Sequence, residues 1–133
     1  MNERGVRPFL EALGKALSEG DAAGVARSWE VPAFVLSDEG VLALSNPGEI
    51  EAFFAQAIQW YRARGLVATR PEIESLEALG ERLCSVDVRW LAFDAEALEK
   101  TSERSRYILR TNDDDEIRIR APVLLSVRGI FKT

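Results

Sequence analysis

Apolar residues in the first half of the chain recur at helical spacing, and capping residues divide them into three helices. Pro8 is a natural first helical residue, so the pattern predicts a helix over residues 7–19. Asp21 is a typical cap for a short second helix. Residues 46–49 (Asn-Pro-Gly-Glu) combine a cap, a proline in the first turn and an acid at capping-box spacing. They predict the start of a third helix with a wide aromatic face.

Hydrophobic residues in the rest of the chain alternate with polar ones, which is typical of strands. The predicted strands cover residues 34–37, 41–44, 66–79, 82–94, 104–111 and 117–128, with a polar connection over 94–103. In the strand over 82–94, the inward residues are Cys84, Val86, Val88, Trp90 and Ala92. In the last strand, alternation places the odd-numbered residues from 117 to 127 inward.

Helices followed by an antiparallel meander predict a single α+β domain over residues 1–133, with a curved, cone-shaped and mostly antiparallel sheet wrapped over three helices. The simplest packing buries the third helix against the concave face of the sheet. We expect Cys84 to be an inert packing residue, because it lies among valines on the inward face.

Several segments together resemble the nuclear-transport-factor-2-like superfamily, and especially its bacterial SnoaL-like branch. They are residues 28–32 (Ser-Trp-Glu-Val-Pro), 49–54 (Glu-Ile-Glu-Ala-Phe-Phe), 86–90 (Val-Asp-Val-Arg-Trp) and 106–110 (Arg-Tyr-Ile-Leu-Arg). The resemblance implies a sheet of about six strands over three helices, a cavity between them and a homodimer formed through the sheet. The superfamily includes ketosteroid isomerases, polyketide cyclases, dehydratases, hydrolases and members without known activity.

The composition of the chain excludes several kinds of functional site. The chain has no histidine and one cysteine, which excludes a catalytic triad with histidine and an intramolecular disulfide. The acidic run over residues 113–116 lacks the ligand spacing of a calcium loop, so we expect no metal and no cofactor. The net charge of -5 argues against nucleic-acid binding. Without a signal peptide or a long apolar run, we expect a soluble cytoplasmic protein that is not in a membrane.

Three residues are candidates for catalysis. In the ketosteroid isomerases the general base is an aspartate near the end of the first hairpin, and the resemblance places Asp38 in that region; an ordinary solvated turn is the alternative. Asp87 lies within an apolar strand, but alternation turns it outward with Arg89, which favours a surface ion pair. The hydroxyl of Tyr107 is a candidate donor to a substrate oxygen.

Aromatic and small residues are expected to line an apolar cavity between the third helix and the sheet, although aromatic residues at this spacing are more often core. The predicted lining consists of Trp29, Phe34, Phe53, Phe54, Ala57, Trp60, Tyr61, Val88, Trp90 and Tyr107.

Basic residues concentrate in the last three predicted strands, mostly at outward positions. They are Arg89, Arg106, Arg110, Arg118, Arg120 and Arg128, with Glu72, Glu74, Glu77 and Asp87 available as cross-strand partners. We favour an outer face of ion pairs that forms a dimer interface over an anion-binding site.

Two classes of function follow. The first is a protein that binds an apolar small molecule, without catalysis. The second is a cofactor-independent isomerase, cyclase or dehydratase that acts on an apolar carbonyl compound with an aspartate base and a tyrosine donor. We favour the first, because alternation places no candidate acid on an inward apolar face.

Overall fold

A computed structural model describes residues 1–125, which form three helices and a six-stranded sheet. The elements are α1 (Glu3–Glu19), α2 (Ala22–Arg27), β1 (Ala33–Ser37), β2 (Gly40–Leu44), α3 (Pro47–Ala63), β3 (Ala68–Ala78), β4 (Leu83–Phe93), β5 (Glu99–Thr111) and β6 (Ile117–Leu124). The strand order is β2-β1-β6-β5-β4-β3. Only β1 and β6 pair in parallel among these neighbours. The α+β fold expected from the sequence is confirmed.

Side-chain caps explain where the helices begin. The side chain of Asp21 accepts a hydrogen bond from the backbone N–H of Gly24 at 2.9 Å, as the sequence predicts for α2. The start of α3 is confirmed as well, since the side chain of Asn46 accepts from the N–H of Glu49 at 2.9 Å. The predicted start of α1 was wrong. Asn2 caps this helix one turn earlier, and Pro8 lies within it.

The helix that packs closely on the sheet is α1. A Cβ atom at Gly14 would lie 3.1 Å from Cδ of Pro71 and 3.3 Å from Cζ3 of Trp90, so glycine permits this close approach. We expected α3 to be buried against the sheet, but α3 packs mainly on α2. The space between α3 and the sheet therefore remains partly open.

The fifth strand begins earlier than the sequence pattern indicated. The carboxylate of Asp94 accepts hydrogen bonds from the backbone N–H groups of Glu96 and Leu98 at 2.9 and 3.0 Å, which closes a tight turn. β5 then starts at Glu99 and pairs with β4. Its first half, predicted as a polar connection, therefore places Glu103 on the inner face of the sheet opposite Trp90.

A bulge in β6 changes which of its side chains face inward. Leu109 pairs with Ile119 and Ile108 pairs with Ala121, so Arg120 is the extra residue on β6. Beyond this point the alternation reverses, and Pro122 and Leu124 line the inner side. The predicted alternation was wrong for this half of the strand. The end of the predicted strand, residues 126–128 with Arg128, lies outside the described residues.

The two faces of the sheet differ in polarity. On the inner face, fully buried side chains form the core with α1 and α2; they include Cys84, Val86, Val88, Leu109 and Ile119. On the outer face, one row of paired residues crosses all six strands. This row runs Val41, Leu36, Val123, Arg106, Asp87, Ser75. Along this row, the outer face is apolar on β2, β1 and β6 and polar on β5, β4 and β3.

Candidate functional site

A cavity of about 170 Å³ lies between α3 and the inner face of β4, β5 and β6. The residues from α3 are Phe53, Phe54, Ala57, Ile58, Tyr61 and Arg62, and those from the sheet are Val35, Ala68, Thr69, Trp90, Ala92, Thr101, Glu103, Ser105, Tyr107, Pro122 and Leu124. Leu17, Ser18, Trp29 and Leu66 complete the lining. Most of this surface is aliphatic or aromatic.

Part of the cavity wall is built from aromatic rings that contact one another. The ring centroids of Trp29 and Phe54 lie 5.6 Å apart, and those of Phe53 and Phe54 lie 5.2 Å apart in an edge-to-face arrangement. Such contacts fix large side chains in place. The contacts form an apolar wall of aromatic rings.

The acidic group in the cavity lining is the carboxylate of Glu103. The hydroxyl of Tyr61 lies 2.7 and 2.8 Å from its two oxygens and donates a hydrogen bond to them across the cavity. Burial raises the pKa of Tyr61 far above its ordinary value, and the negative charge of Glu103 raises it further. Tyr61 therefore remains a neutral donor at any physiological pH.

Beside this pair, Tyr107 is anchored by Trp90. The indole N–H of Trp90 donates to the hydroxyl oxygen of Tyr107 at 2.8 Å, and Ser105 also hydrogen-bonds with that hydroxyl. Burial raises the pKa of Tyr107 to about 12, although both hydrogen bonds act to lower it. We define the polar wall of the cavity as Tyr61, Thr101, Glu103, Ser105 and Tyr107.

The structure separates the residues predicted to line the cavity into two groups. Those in its lining are Trp29, Phe53, Phe54, Ala57, Tyr61, Trp90 and Tyr107. Phe34 lies outside it, because strand alternation turns Phe34 outward when Val35 faces the cavity. Trp60 lies on the outer side of α3 under the guanidinium of Arg64, 3.5 Å from the ring centroid. Val88 is fully buried in the closed core beyond the cavity.

Neither candidate aspartate lies in the cavity lining. Asp38 is exposed in the turn between β1 and β2. Asp87 lies on the outer face, where Nε and a terminal nitrogen of Arg106 donate to its two oxygens at 2.6 and 3.1 Å. The hydrogen bond from Arg106 lowers the pKa of Asp87. The predicted pair with Arg89 does not form, since Arg89 contacts Glu99 and Ser102 instead.

With this geometry established, the family can be assigned. The family described as NTF2-like protein (DUF6841) matches residues 2–125 of the sequence. The chain belongs to this NTF2-like family. The superfamily expected from the sequence is thereby confirmed. No protein of curated function matches the chain.

Solved structures share the fold of this NTF2-like protein at low identity. A domain of unknown function with a cystatin-like fold from Nostoc punctiforme is 19% identical, with a TM-score of 0.75 over 96% of this chain and 78% of that one. An NTF2-like protein of unknown function from Shewanella oneidensis is 14% identical, with a TM-score of 0.71 over 92% and 98%. A ketosteroid isomerase-like protein from Erwinia carotovora atroseptica is 11% identical, with a TM-score of 0.65 over 96% and 100%. These identities show the fold alone.

The acid that the cavity contains was missed at the sequence level. Glu103 follows several polar residues, and this composition predicts a connection rather than a strand. The alternation of Tyr107 and Leu109 in fact continues back through Ser105, Glu103 and Thr101. An inward face that lines a cavity carries polar side chains, and these interrupt the apolar pattern used to find strands.

Within residues 1–125, no group of three or more cysteine, aspartate or glutamate side chains is arranged to hold a metal ion. Among the helices described here, none is long and apolar enough to cross a membrane.

Proposed function

We propose that this NTF2-like protein binds a small, mostly apolar molecule in the cavity between α3 and the sheet. The observation that carries the proposal is the composition of the lining, in which aromatic and aliphatic side chains surround one polar wall. Binding sites for small molecules commonly combine these two features, because apolar surface supplies affinity and a few polar groups fix orientation.

Variants in which a larger side chain fills the cavity test this proposal. Ala57 is buried on α3 and lines the cavity, whereas Ala55 is exposed on the same helix. We expect toluene and benzyl alcohol to shift the NMR signals of cavity residues in the wild type and in Ala55→Phe. The Ala57→Phe variant fills the space, so the shifts are expected to disappear. Ala92→Phe on the opposite wall serves as a second filling variant. Unchanged wild-type spectra at saturating toluene would contradict the proposal.

Catalysis is the second candidate function, and the position of Glu103 favours it. A carboxylate in an apolar cavity beside a carbonyl compound can remove a proton from the adjacent carbon. The base would then be Glu103 rather than Asp38 or Asp87. We place it second, because an enolate oxygen needs donors and the proton of Tyr61 is already directed at Glu103. Faster deuterium exchange at the α-carbon of 2-indanone, lost in Glu103→Gln, would establish this activity.

We also propose a homodimer that forms through the apolar half of the outer face. We define the outer apolar patch as Phe34, Leu36, Val41 and Val123, of which Phe34 and Val41 are 44% and 69% exposed. A twofold axis brings the same patch of each copy together, so an apolar patch is its own complement. The neighbouring charges of Arg106 and Asp87 are paired within the chain.

Sedimentation velocity tests the dimer. We expect a dimer whose mass persists at high salt, because its contact is apolar rather than ionic. Val41→Lys is expected to yield monomers. Leu98→Lys, in the turn before β5 and 53% exposed, is the matched control and should remain dimeric. A wild type that stays monomeric at high protein concentration, or a dimer that dissociates with salt, would contradict this interface.

A further inference from the structure

The indole N–H of Trp29 is a buried hydrogen-bond donor without an acceptor. Trp29 belongs to the cavity lining and is 7% exposed, and within residues 1–125 no atom accepts a hydrogen bond from its indole nitrogen. Native proteins leave few buried polar groups unpaired, because such a group loses its bonds to water without gaining others. Since Trp29 is part of the cavity surface, the cavity is the side from which an acceptor can approach this N–H.

Two other donors in the lining are paired within the protein. The indole N–H of Trp90 donates to the hydroxyl oxygen of Tyr107 at 2.8 Å, and the hydroxyl of Tyr61 donates to Glu103. Trp29 instead contacts the aromatic ring of Phe54, with 5.6 Å between the ring centroids. The aromatic wall of the cavity therefore contains an unpaired donor that the polar wall does not satisfy.

The surroundings of this N–H favour an acceptor without a charge. The adjacent rings of Phe53 and Phe54 offer no donors, and moving an anion from water to apolar surroundings costs far more than moving a neutral oxygen. The carboxylate of Glu103 in the same lining also repels an anion. The guanidinium of Arg62 is exposed and donates to the backbone oxygen of Ser18 at 3.1 Å, so water screens its attraction for an anion inside the cavity.

We infer that the ligand is an uncharged, mostly apolar molecule with a carbonyl or ether oxygen, and that this oxygen accepts a hydrogen bond from Nε1 of Trp29. This inference rests on the binding function proposed above. It adds the class of polar group that the cavity recognises and the residue that fixes the orientation of the ligand.

Acetophenone and α-methylstyrene test the inference, because they have nearly the same shape and only acetophenone contains an oxygen acceptor. The probe is the proton–nitrogen correlation spectrum of the wild type, in which each of the three tryptophans gives one indole signal. We expect acetophenone to move the indole proton of Trp29 downfield, because a new hydrogen bond deshields that proton. No downfield shift is expected with α-methylstyrene. The indole signal of Trp60, on the outer side of α3, is the internal control and should stay in place.

The outcomes separate this inference from the binding function. Acetophenone that shifts other signals from the cavity, but leaves the indole proton of Trp29 in place, would overturn the inference and leave the binding function intact. An equal downfield shift with α-methylstyrene would overturn it as well, because that compound has no oxygen. If neither compound shifts any signal from the cavity, both proposals fail.

A variant without the indole N–H measures its effect on affinity. Trp29→Phe keeps an aromatic ring, and the smaller size of that ring affects both compounds, so the ratio of their affinities is compared by isothermal titration calorimetry. We expect the affinity for acetophenone, relative to α-methylstyrene, to fall about tenfold in Trp29→Phe. Trp60→Phe is the matched control and should keep the wild-type ratio. An unchanged ratio in Trp29→Phe would overturn the inference. If Trp29→Phe does not fold, the spectra of the wild type still decide it.

Discussion

Asp87 on β4 and Glu103 on the neighbouring strand β5 face opposite sides of the sheet, and their surroundings differ. Asp87 lies on the outer face, where Arg106 makes two hydrogen bonds to it and its side chain is 14% exposed. Glu103 faces the inner cavity, where the neutral hydroxyl of Tyr61 donates to it. Asp87 is therefore part of a paired outer surface, whereas Glu103 lies in a cavity lined mostly by apolar side chains.

The role of an acid therefore depends more on its surroundings in the folded protein than on its position within an apolar strand. Asp87 drew notice because valines flank it, yet those valines face the other side of the sheet. Glu103 stands among polar neighbours in sequence and among aromatic neighbours in space. The outer face contributes modest ion-pair stability, and the inner face holds the core and the candidate site.

The largest expected difference between the two faces concerns packing. Leu109 is fully buried on the inner face of β5, and Ile108 is half-buried on the outer face beside it. Leu109→Ala is expected to lower the free energy of unfolding by about 2 to 5 kcal/mol, because it leaves a cavity in the core. Ile108→Ala should cost about 1 kcal/mol. Urea unfolding of both variants measures the difference, and equal losses would contradict the assignment of the faces.

A second expected difference is the stability of the protein in alkali, which depends on the inner face. Both tyrosines of the chain have raised pKa values in the folded protein, chiefly through burial. The unfolded chain releases these protons above a pH of about 10, while the folded protein keeps them. Each tyrosine therefore removes about 1.4 kcal/mol of stability per pH unit above that point, and none below it.

Tyrosinate absorbance measures the release of these protons directly. We expect no tyrosinate signal from the folded protein until it unfolds, and then a signal from both residues together. A gradual rise near the ordinary tyrosine pKa, in protein that circular dichroism shows to be folded, would contradict the burial of the polar wall. Tyr61→Phe separates the contributions of the two residues.

The smallest expected change in the free energy of unfolding concerns an ion pair on the outer face. Asp87→Asn is expected to cost about 1 kcal/mol at neutral pH, because an ion pair near the surface is worth little more. Asp113→Asn is the control, since its side chain is 99% exposed at a hairpin tip and should change nothing measurable. Urea unfolding measures both, and a loss as large as that of Leu109→Ala would show that Asp87 is not a surface residue.

The pH dependence of this effect has a defined sign. Arg106 lowers the pKa of Asp87 in the folded protein, so the pair stabilises the fold above the unfolded pKa of about 4. The contribution decreases as the pH falls through the lower folded pKa. The difference between the wild type and Asp87→Asn should therefore shrink in acid. A difference that grows below pH 4 would contradict the pairing.

Local chemistry predicted much of this fold from the sequence. Asp21 and Asn46 cap their helices as expected, because capping depends on a few adjacent residues. Alternation in β4 placed Val86 and Val88 inward, where both are fully buried. The helix start predicted at Pro8 was wrong, since Asn2 provides an earlier cap.

The parts that escaped prediction depend on contacts between distant segments. The bulge at Arg120 reverses alternation along β6 and is a property of its pairing with β5. The close packing of α1 on the sheet at Gly14 and the packing of α3 mainly on α2 are also long-range features, and the cavity lies between α3 and the sheet. Glu103 enters the site because of both the length of β5 and this open space. Periodicity within a single segment encodes neither the bulge in β6 nor the packing of the helices.

The most direct test of the central claim is a crystal structure of the protein soaked with toluene. We predict density for one molecule between α3 and the sheet, with its ring against the aromatic side chains of the cavity lining. An empty cavity at saturating toluene would contradict the binding function.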